Sequence, residues 1–571
     1  MSTLPKRWLL ASPAPPDVLS HYAGMHPILA QVLYNRGFTD PFKAEDFLRA
    51  PQVSANPFQM KGVNESVSRI RQAIKKHEQI IIYGDFDADG VTSTMLMMQT
   101  LTALGAQVKP YIPHRVDEGY GLNSAALLKL ARAGVKLVIT VDCGIRSVDE
   151  VADGTAAGLD IIVTDHHSIG PEIPQAYAVV NPKQVDCRYP EDMLAGVGVA
   201  FRLAQALLTV ATGMDKRSIP LDPTDLLDLV AIGTVADLAP LDRTENRMLV
   251  REGLKQLNGS RRLGLRALME VADLKPGEID AMSIGFGIGP RINAAGRLES
   301  AMTAYHLLAA QSETEATELA HTLQSLNTQR QDLTRAAQES FRQQVLAADT
   351  SAPLIFAADK HIQPGIVGLV AGRLTEEFYR PTVILHEDGN ESRASCRSIP
   401  EFDITAALDQ CADLLVRHGG HAQAAGFTVT NENLPALHEK LMGIAAEQLA
   451  GRDLRPSLTV DVDAPLSSLS LEVVTALAQL EPTGHHNPAP ILMTRDVRVL
   501  DKRTVGKEGQ HLKLRVGRAG TPPLDAIGFN LGGRINTLPE RIDVAYQLEI
   551  NEWNGNRNLQ LHLLDVRPVE A

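Results

Sequence analysis

Residues 80–91, Ile-Ile-Ile-Tyr-Gly-Asp-Phe-Asp-Ala-Asp-Gly-Val, constrain the fold more tightly than any other stretch of the chain. The β-branched run at 80–83 suits a short strand buried on both faces, as in a parallel sheet covered by helices. Gly84 ends it. Asp85, Asp87 and Asp89 then alternate ahead of Gly90, and the run from Thr92 reads as a helix. Three like charges so close together repel one another. A hard divalent cation, which prefers carboxylate oxygen, makes such crowding favourable. The plainer alternative is a solvated Asp-rich turn with one helix cap. Position favours the ion, because open α/β sheets hold ligands where buried parallel strands end beside helix N-termini.

The same arrangement recurs downstream. Strand-like and helix-like segments alternate from about 56 to 210, which predicts a doubly wound, mostly parallel sheet. The run 137–141 delivers Asp142-Cys-Gly144, and the run 161–164 delivers Asp165-His166-His167. One acidic residue after a strand is an ordinary helix cap. Three strands that each deliver Asp or His at the same sheet edge bring ligands distant in sequence together. Residues 226–237 read as an apolar helix ending in Asp237, by itself a turn residue and in this company a further carboxylate. Gly285 to Arg297, GFGIGPRINAAGR, lacks a surrounding βαβ unit and so is no dinucleotide fingerprint. It reads as a phosphate-approaching loop or a tight interdomain turn.

Ser312-Glu-Thr-Glu315 is a capping box opening a helix to about 348 with one apolar stripe, a strut about 54 Å long at 1.5 Å per residue. A second α/β domain is expected over about 352–450, with strands at 353–358, 382–386 and 392–396 and helices at 367–377 and 404–416. Its polar features are His361, Ser395-Cys-Arg397-Ser398 and the loop Gly419-Gly-His-Ala-Gln-Ala-Ala-Gly426. After Pro482, six short strand patterns predict a small β-barrel. Residues 495–518 carry eight Lys/Arg against three Asp/Glu, which suits single-strand binding or an ordinary charged sheet face. Residues 1–55, Pro-punctuated with a helical middle, read as an N-terminal extension packed on the first domain.

The chain's 571 residues exceed one core, so three or four domains are expected. Aromatics are only 4%, which argues against a surface that binds mainly by base stacking. A net charge of −13 excludes an all-over basic coat but not a basic groove. Four cysteines without CxxC spacing suggest reduced thiols of a cytoplasmic protein. The N-terminal apolar patch is too short for a signal sequence, and no run is expected to span a membrane.

Taken together, DFDADG, Asp142 in TVDCG, Asp165-His-His167 and Asp237 in GTVADLAPL resemble the DHH phosphoesterase superfamily. The order GPRINAAGR, helical strut, SCRS, GGHAQAAG and terminal OB-like barrel is similar to its bacterial single-strand-specific 5′→3′ DNA exonucleases. The resemblance covers roughly residues 40–571. It implies a DHH catalytic domain at 56–300, a connecting helix at 301–350, a DHHA1-like substrate domain at 351–452 and an OB-like domain at 453–571. It also implies two Mn²⁺ or Mg²⁺ ions. By position, Asp142 bridges them, Asp87 completes one site, and Asp89, His166 and Asp237 complete the other. Asp85, His167 and Arg291 would assist catalysis. Asn293, Arg297, His361, Ser395, Arg397, Gly419, Gly420 and His421 would hold the substrate. The expected partners are single-stranded DNA, a single-strand-binding protein and a repair helicase, with the chain monomeric. Many superfamily members carry His four residues before Asp87; here that position is Tyr83. Small-substrate pyrophosphatases and phosphodiesterases of the superfamily are the competing expectation, but they lack the strut and barrel.

Overall fold

The computed structural model describes every residue except 1–3, 23, 51–54, 116, 120, 215–217, 349–350, 554–555 and 570–571. Two compact units emerge, one formed by 49–332 with 482–488, the other by 1–48, 333–481 and 489–571.

The first unit is built on a five-stranded sheet, all parallel, in the order Gln107–Tyr111, Gln79–Gly84, Leu137–Val141, Asp160–Thr164, Ala178–Val180. Strand residues alternate between two cores. Ile80, Ile82, Ile139 and Ile162 face one, with helices Val63–Lys75, Ala88–Ala103 and Gly196–Thr209; Ile81, Tyr83, Val138 and Ile161 face the other. The doubly wound sheet is therefore as expected. The chain leaves Gln79–Gly84 toward one neighbour and returns at Leu137–Val141 on its other side, so the crevice opens between those two strand ends. The apolar segment Gly196–Gly213 is, against expectation, long and apolar enough for a membrane span, but 78% of it is buried in this core.

Gly289–Leu298 is a helix, not the expected loop. Its glycine permits close packing rather than a turn: a Cβ on Gly296 would lie 2.3 Å from the Phe86 carbonyl oxygen. The helix Glu313–Ala347 runs 35 residues, with Leu323 and Phe341 fully buried along its apolar stripe.

In the second unit, a five-stranded mixed sheet has the order Leu415–His421, Ala424–Thr430, Glu391–Arg397, Thr382–Asp388, Ile355–Asp359. The expected helix at 404–416 stops at Asp409, and the Gly419–Gly426 stretch is a β-hairpin rather than a loop. The terminal domain is a closed five-stranded barrel, sealed by pairing of Leu492–Val505 with Arg541–Trp553. Two of the expected short strands merge into the bulged Leu492–Val505. Only the end of the N-terminal segment joins the first unit, where Ala50 enters its core; residues 1–48 belong to the second. Arg7–Leu10 pairs in parallel with Ser457–Val460, and Leu29, Leu33 and Phe47 share one core with barrel residues Leu514, Val544 and Leu561.

Candidate metal centre

Three features of local structure aim the carboxylates. Asp87 caps the helix Ala88–Ala103 by accepting from the amides of Asp89 (2.9 Å) and Gly90 (3.0 Å). Asp142 leaves its strand at φ 62°, a left-handed conformation that is costly for a non-glycine residue. Helix Gly196–Thr209 points its N-terminus inward, and the Gly196 and Val197 amides donate to the two oxygens of Asp89 at 2.7 and 2.8 Å.

The result is three overlapping groups of ligand atoms, each within 4.8 Å: Asp85, Asp87 and Asp142; Asp89, His166 and Asp237; and Asp142, Asp165, His166 and His167. His166 Nε2 lies 3.1 Å from Asp142 Oδ1, 3.6 Å from Asp237 Oδ2 and 4.0 Å from Asp89 Oδ2. Asp142 thus stands at the junction of two pockets.

Burial, reinforced by Asp87 and other carboxylates, raises Asp85, Asp142 and Asp237 well above the carboxylate range and Asp89 to about 7. Burial also lowers His166 to about 3, leaving a neutral imidazole. Asp85 Oδ1, Asp142 Oδ1 and His166 Nε2 are buried without an aligned hydrogen-bond partner among the described residues. Such orphaned oxygens beside a neutral imidazole fit hard divalent cations, which restore the ionised carboxylates.

Several contributors carried no assigned role in the sequence. Asp165 accepts from the amides of His166 (2.7 Å), His167 (3.0 Å) and Ile145 (2.9 Å), and holds His167 Nδ1 at 2.7 Å. Its place inside the Asp-His-His motif was the available signal. Lys183 Nζ donates to the His166 carbonyl at 2.6 Å. Arg115 stacks over Phe86, 4.6 Å from the ring centroid, where Asp85 and Asp87 partly offset the burial that lowers its pKa. A lone Arg in a loop gave no signal. Gly196 and Gly233 are obligatory by contact, since added Cβ atoms would lie 2.6 Å from Asp142 Cβ and 2.7 Å from Asp89 Oδ1.

Tyr83 is turned away. Its ring lies in the opposite core against Tyr111, and its hydroxyl donates to the Gly121 carbonyl at 3.3 Å. Asn293 Oδ1 accepts from the Ala88 amide at 2.7 Å, and Arg291 donates to Gln324 (2.8 Å) and the Gly287 carbonyl (2.7 Å), so both side chains brace the site's scaffold. Arg297 lies half-buried one turn on in the same helix.

In the other unit, Ser395 and Arg397 share a strand, with Arg397 Nη1 donating to Ser395 Oγ (3.2 Å) and the Cys396 carbonyl (2.8 Å). Gly419, Gly420 and His421 are exposed two strands away, and His361 is exposed in a turn.

The DHH family N-terminal domain matches residues 79–234, the DHHA1 domain 351–447 and the RecJ OB domain 460–565. The single-stranded-DNA-specific exonuclease RecJ of Bacillus subtilis is 39% identical, over 99% of this chain and 71% of that protein. RecJ of Salmonella typhimurium is 35% identical over 96% of this chain and 97% of its own length. The chain belongs to the RecJ family. A crystal structure of RecJ from Thermus thermophilus in complex with Mn²⁺ matches with TM-score 0.84 and 32% identity, over 99% of this chain and 80% of that one. As the motif order led one to expect, a DHH domain, a DHHA1 domain and an OB barrel follow one another along the chain.

Proposed function

We propose that this RecJ-family chain is a metal-dependent exonuclease that hydrolyses single-stranded DNA from the 5′ end and releases 5′-mononucleotides. The observation that carries the proposal is the junction at Asp142, one carboxylate shared by two ligand pockets at a sheet switch point. Asp87 with Asp142, and Asp89, His166 and Asp237 with Asp142, would hold two Mn²⁺ or Mg²⁺ ions. Such ions, when bound, would offset the charge of a phosphodiester and lower the pKa of a water enough for it to lose a proton and attack as hydroxide.

The chain's own groups then do the rest. The helix N-terminal amides of Gly196 and Val197 fix Asp89. Asp165 holds His167 through Nδ1 and favours the protonated ring, so the imidazolium's Nε2–H is oriented to protonate the departing 3′-oxygen. Arg115 offers a fork to a non-bridging phosphate oxygen. Ser395, Arg397, His361 and the Gly419–His421 strand would grip the terminal nucleotide and its 5′-phosphate. Arg291, Asn293 and Arg297 support the site from their helix. A cytoplasmic, monomeric enzyme working with a single-strand-binding protein and a helicase in recombination and repair fits the family.

Digestion of single strands labelled at either end, with and without Mn²⁺, tests this. Mononucleotide release beginning at the 5′ end is expected only with metal, and Asp142→Ala should abolish turnover while staying folded, since a shared ligand serves both ions. Degradation from the 3′ end, or full activity of Asp142→Ala, would overturn it.

A further inference from the structure

Residues Pro482–Pro488 belong to the compact unit that holds the metal pocket, although the chain on both sides of them belongs to the other unit. Their target is the turn that follows Asp237. Asp237 caps helix Leu227–Ala236, and the next residue, Leu238, sits in the left-handed region at φ 59°. The Leu238 amide donates to the Val235 carbonyl (3.2 Å) and the Ala239 amide to the Thr234 carbonyl (3.1 Å). This is a helix stop that usually places glycine at the left-handed position. Leucine there carries strain, so a neighbour must hold the turn.

The 482–488 loop does so. The Leu241 amide donates to the His485 carbonyl at 2.8 Å. Gly484 presses so close that a Cβ would lie 2.8 Å from Leu241 Cδ1. The His485 imidazole faces the Leu238 carbonyl, and His486 Nδ1 lies 3.8 Å from Asp242 Oδ2. The loop is itself braced. Gly484 and Asn487 exchange backbone hydrogen bonds of 2.8 and 3.1 Å, and the Asn487 amide group donates to the Pro482 carbonyl at 2.8 Å. Arg247 reaches the same carbonyl at 3.4 Å.

We infer that the Pro482–Pro488 loop is a positioning element of the metal centre, clamping the strained turn at 238–242 and so holding the Asp237 carboxylate toward His166 and Asp89. In this arrangement His485 acts through Leu238, the residue that follows Asp237. The inference rests on the metal assignment proposed above.

Titration of Mn²⁺ into the DNA-free, full-length protein, followed by calorimetry and by the electron paramagnetic resonance of free Mn²⁺, separates the two. His485→Ala should weaken one Mn²⁺ site by about tenfold, in line with other supports of metal ligands, with an unchanged circular dichroism spectrum. His485→Gln, which keeps an N–H donor, should retain the affinity. Adding Leu238→Gly to His485→Ala should restore it, because glycine adopts the left-handed turn without a clamp. Unaltered Mn²⁺ binding by His485→Ala, or a loss that Leu238→Gly does not repair, would overturn the clamp and leave the metal assignment standing. A wild-type protein that binds no Mn²⁺ would overturn both.

Discussion

Asp165 gathers three backbone amides and one imidazole onto a single carboxylate, and that concentration fixes the orientation of the His167 ring. Asp165→Asn keeps the shape but offers only one carbonyl oxygen to these donors. It should lower kcat by about 10²- to 10⁴-fold with little change in KM, as expected when a proton-transferring group is misoriented. Steady-state kinetics at saturating Mn²⁺ would show it, and a kcat near wild type would remove His167 from proton transfer. Gly196 makes a different demand, for empty space beside Asp142. Gly196→Ala should cost about 1–3 kcal/mol through overpacking and displace Asp142, so that both thermal stability and Mn²⁺ affinity fall. A variant with wild-type melting and metal binding would mean the helix shifts without strain. The clustering of Asp85, Asp87, Asp89, Asp142, His166 and Asp237 was legible because each follows a hydrophobic strand or helix, a pattern that survives in one dimension. Asp142's left-handed backbone, Tyr83's outward turn and Arg115 were not, since each depends on which face of the sheet a side chain meets.

At the scale of elements, the parallel sheet was legible because its strands are continuous β-branched runs. The Gly289–Leu298 helix and the Leu415–His421 hairpin strand were missed for one reason: glycine reads as punctuation in sequence, yet here it allows backbones to approach, as Gly296 does Phe86. The basic stretch at 495–518 also proves less exposed as charge than its composition suggests. Arg495 pairs with Asp463 at 2.8 Å and Arg498 with Glu540 at 2.6 Å. Lys513 and Arg515, on strand His511–Gly517, have no ion-pair partner among the described residues. Replacing both by Gln should reduce the slope of log affinity against log salt by about 0.7 per lost phosphate contact. Fluorescence anisotropy with a single-stranded oligonucleotide at several salt concentrations measures that slope, and an unchanged slope would place the strand track on another barrel face.

Across the whole molecule, the N-terminal helices are inseparable from the barrel, because Leu29, Leu33 and Phe47 have their core there. Removing residues after 456 should therefore do more than abolish strand affinity. It should bare that apolar face, seen as binding of a hydrophobic dye and as larger species in sedimentation, whereas a truncated chain that stays monomeric and dye-free would show the N-terminal helices bury themselves otherwise. This long-range docking left no trace in the sequence, where both partners read as ordinary local patterns. It also sets a timetable for biosynthesis. Asn35 donates to the carbonyl of Asp461, 426 positions later, so at about 5–20 residues per second the first helices leave the ribosome tens of seconds before their partner exists. For that interval the nascent chain carries an uncovered greasy surface at its leading end, a ready target for a chaperone, while the sheet that carries the carboxylates can already close behind it.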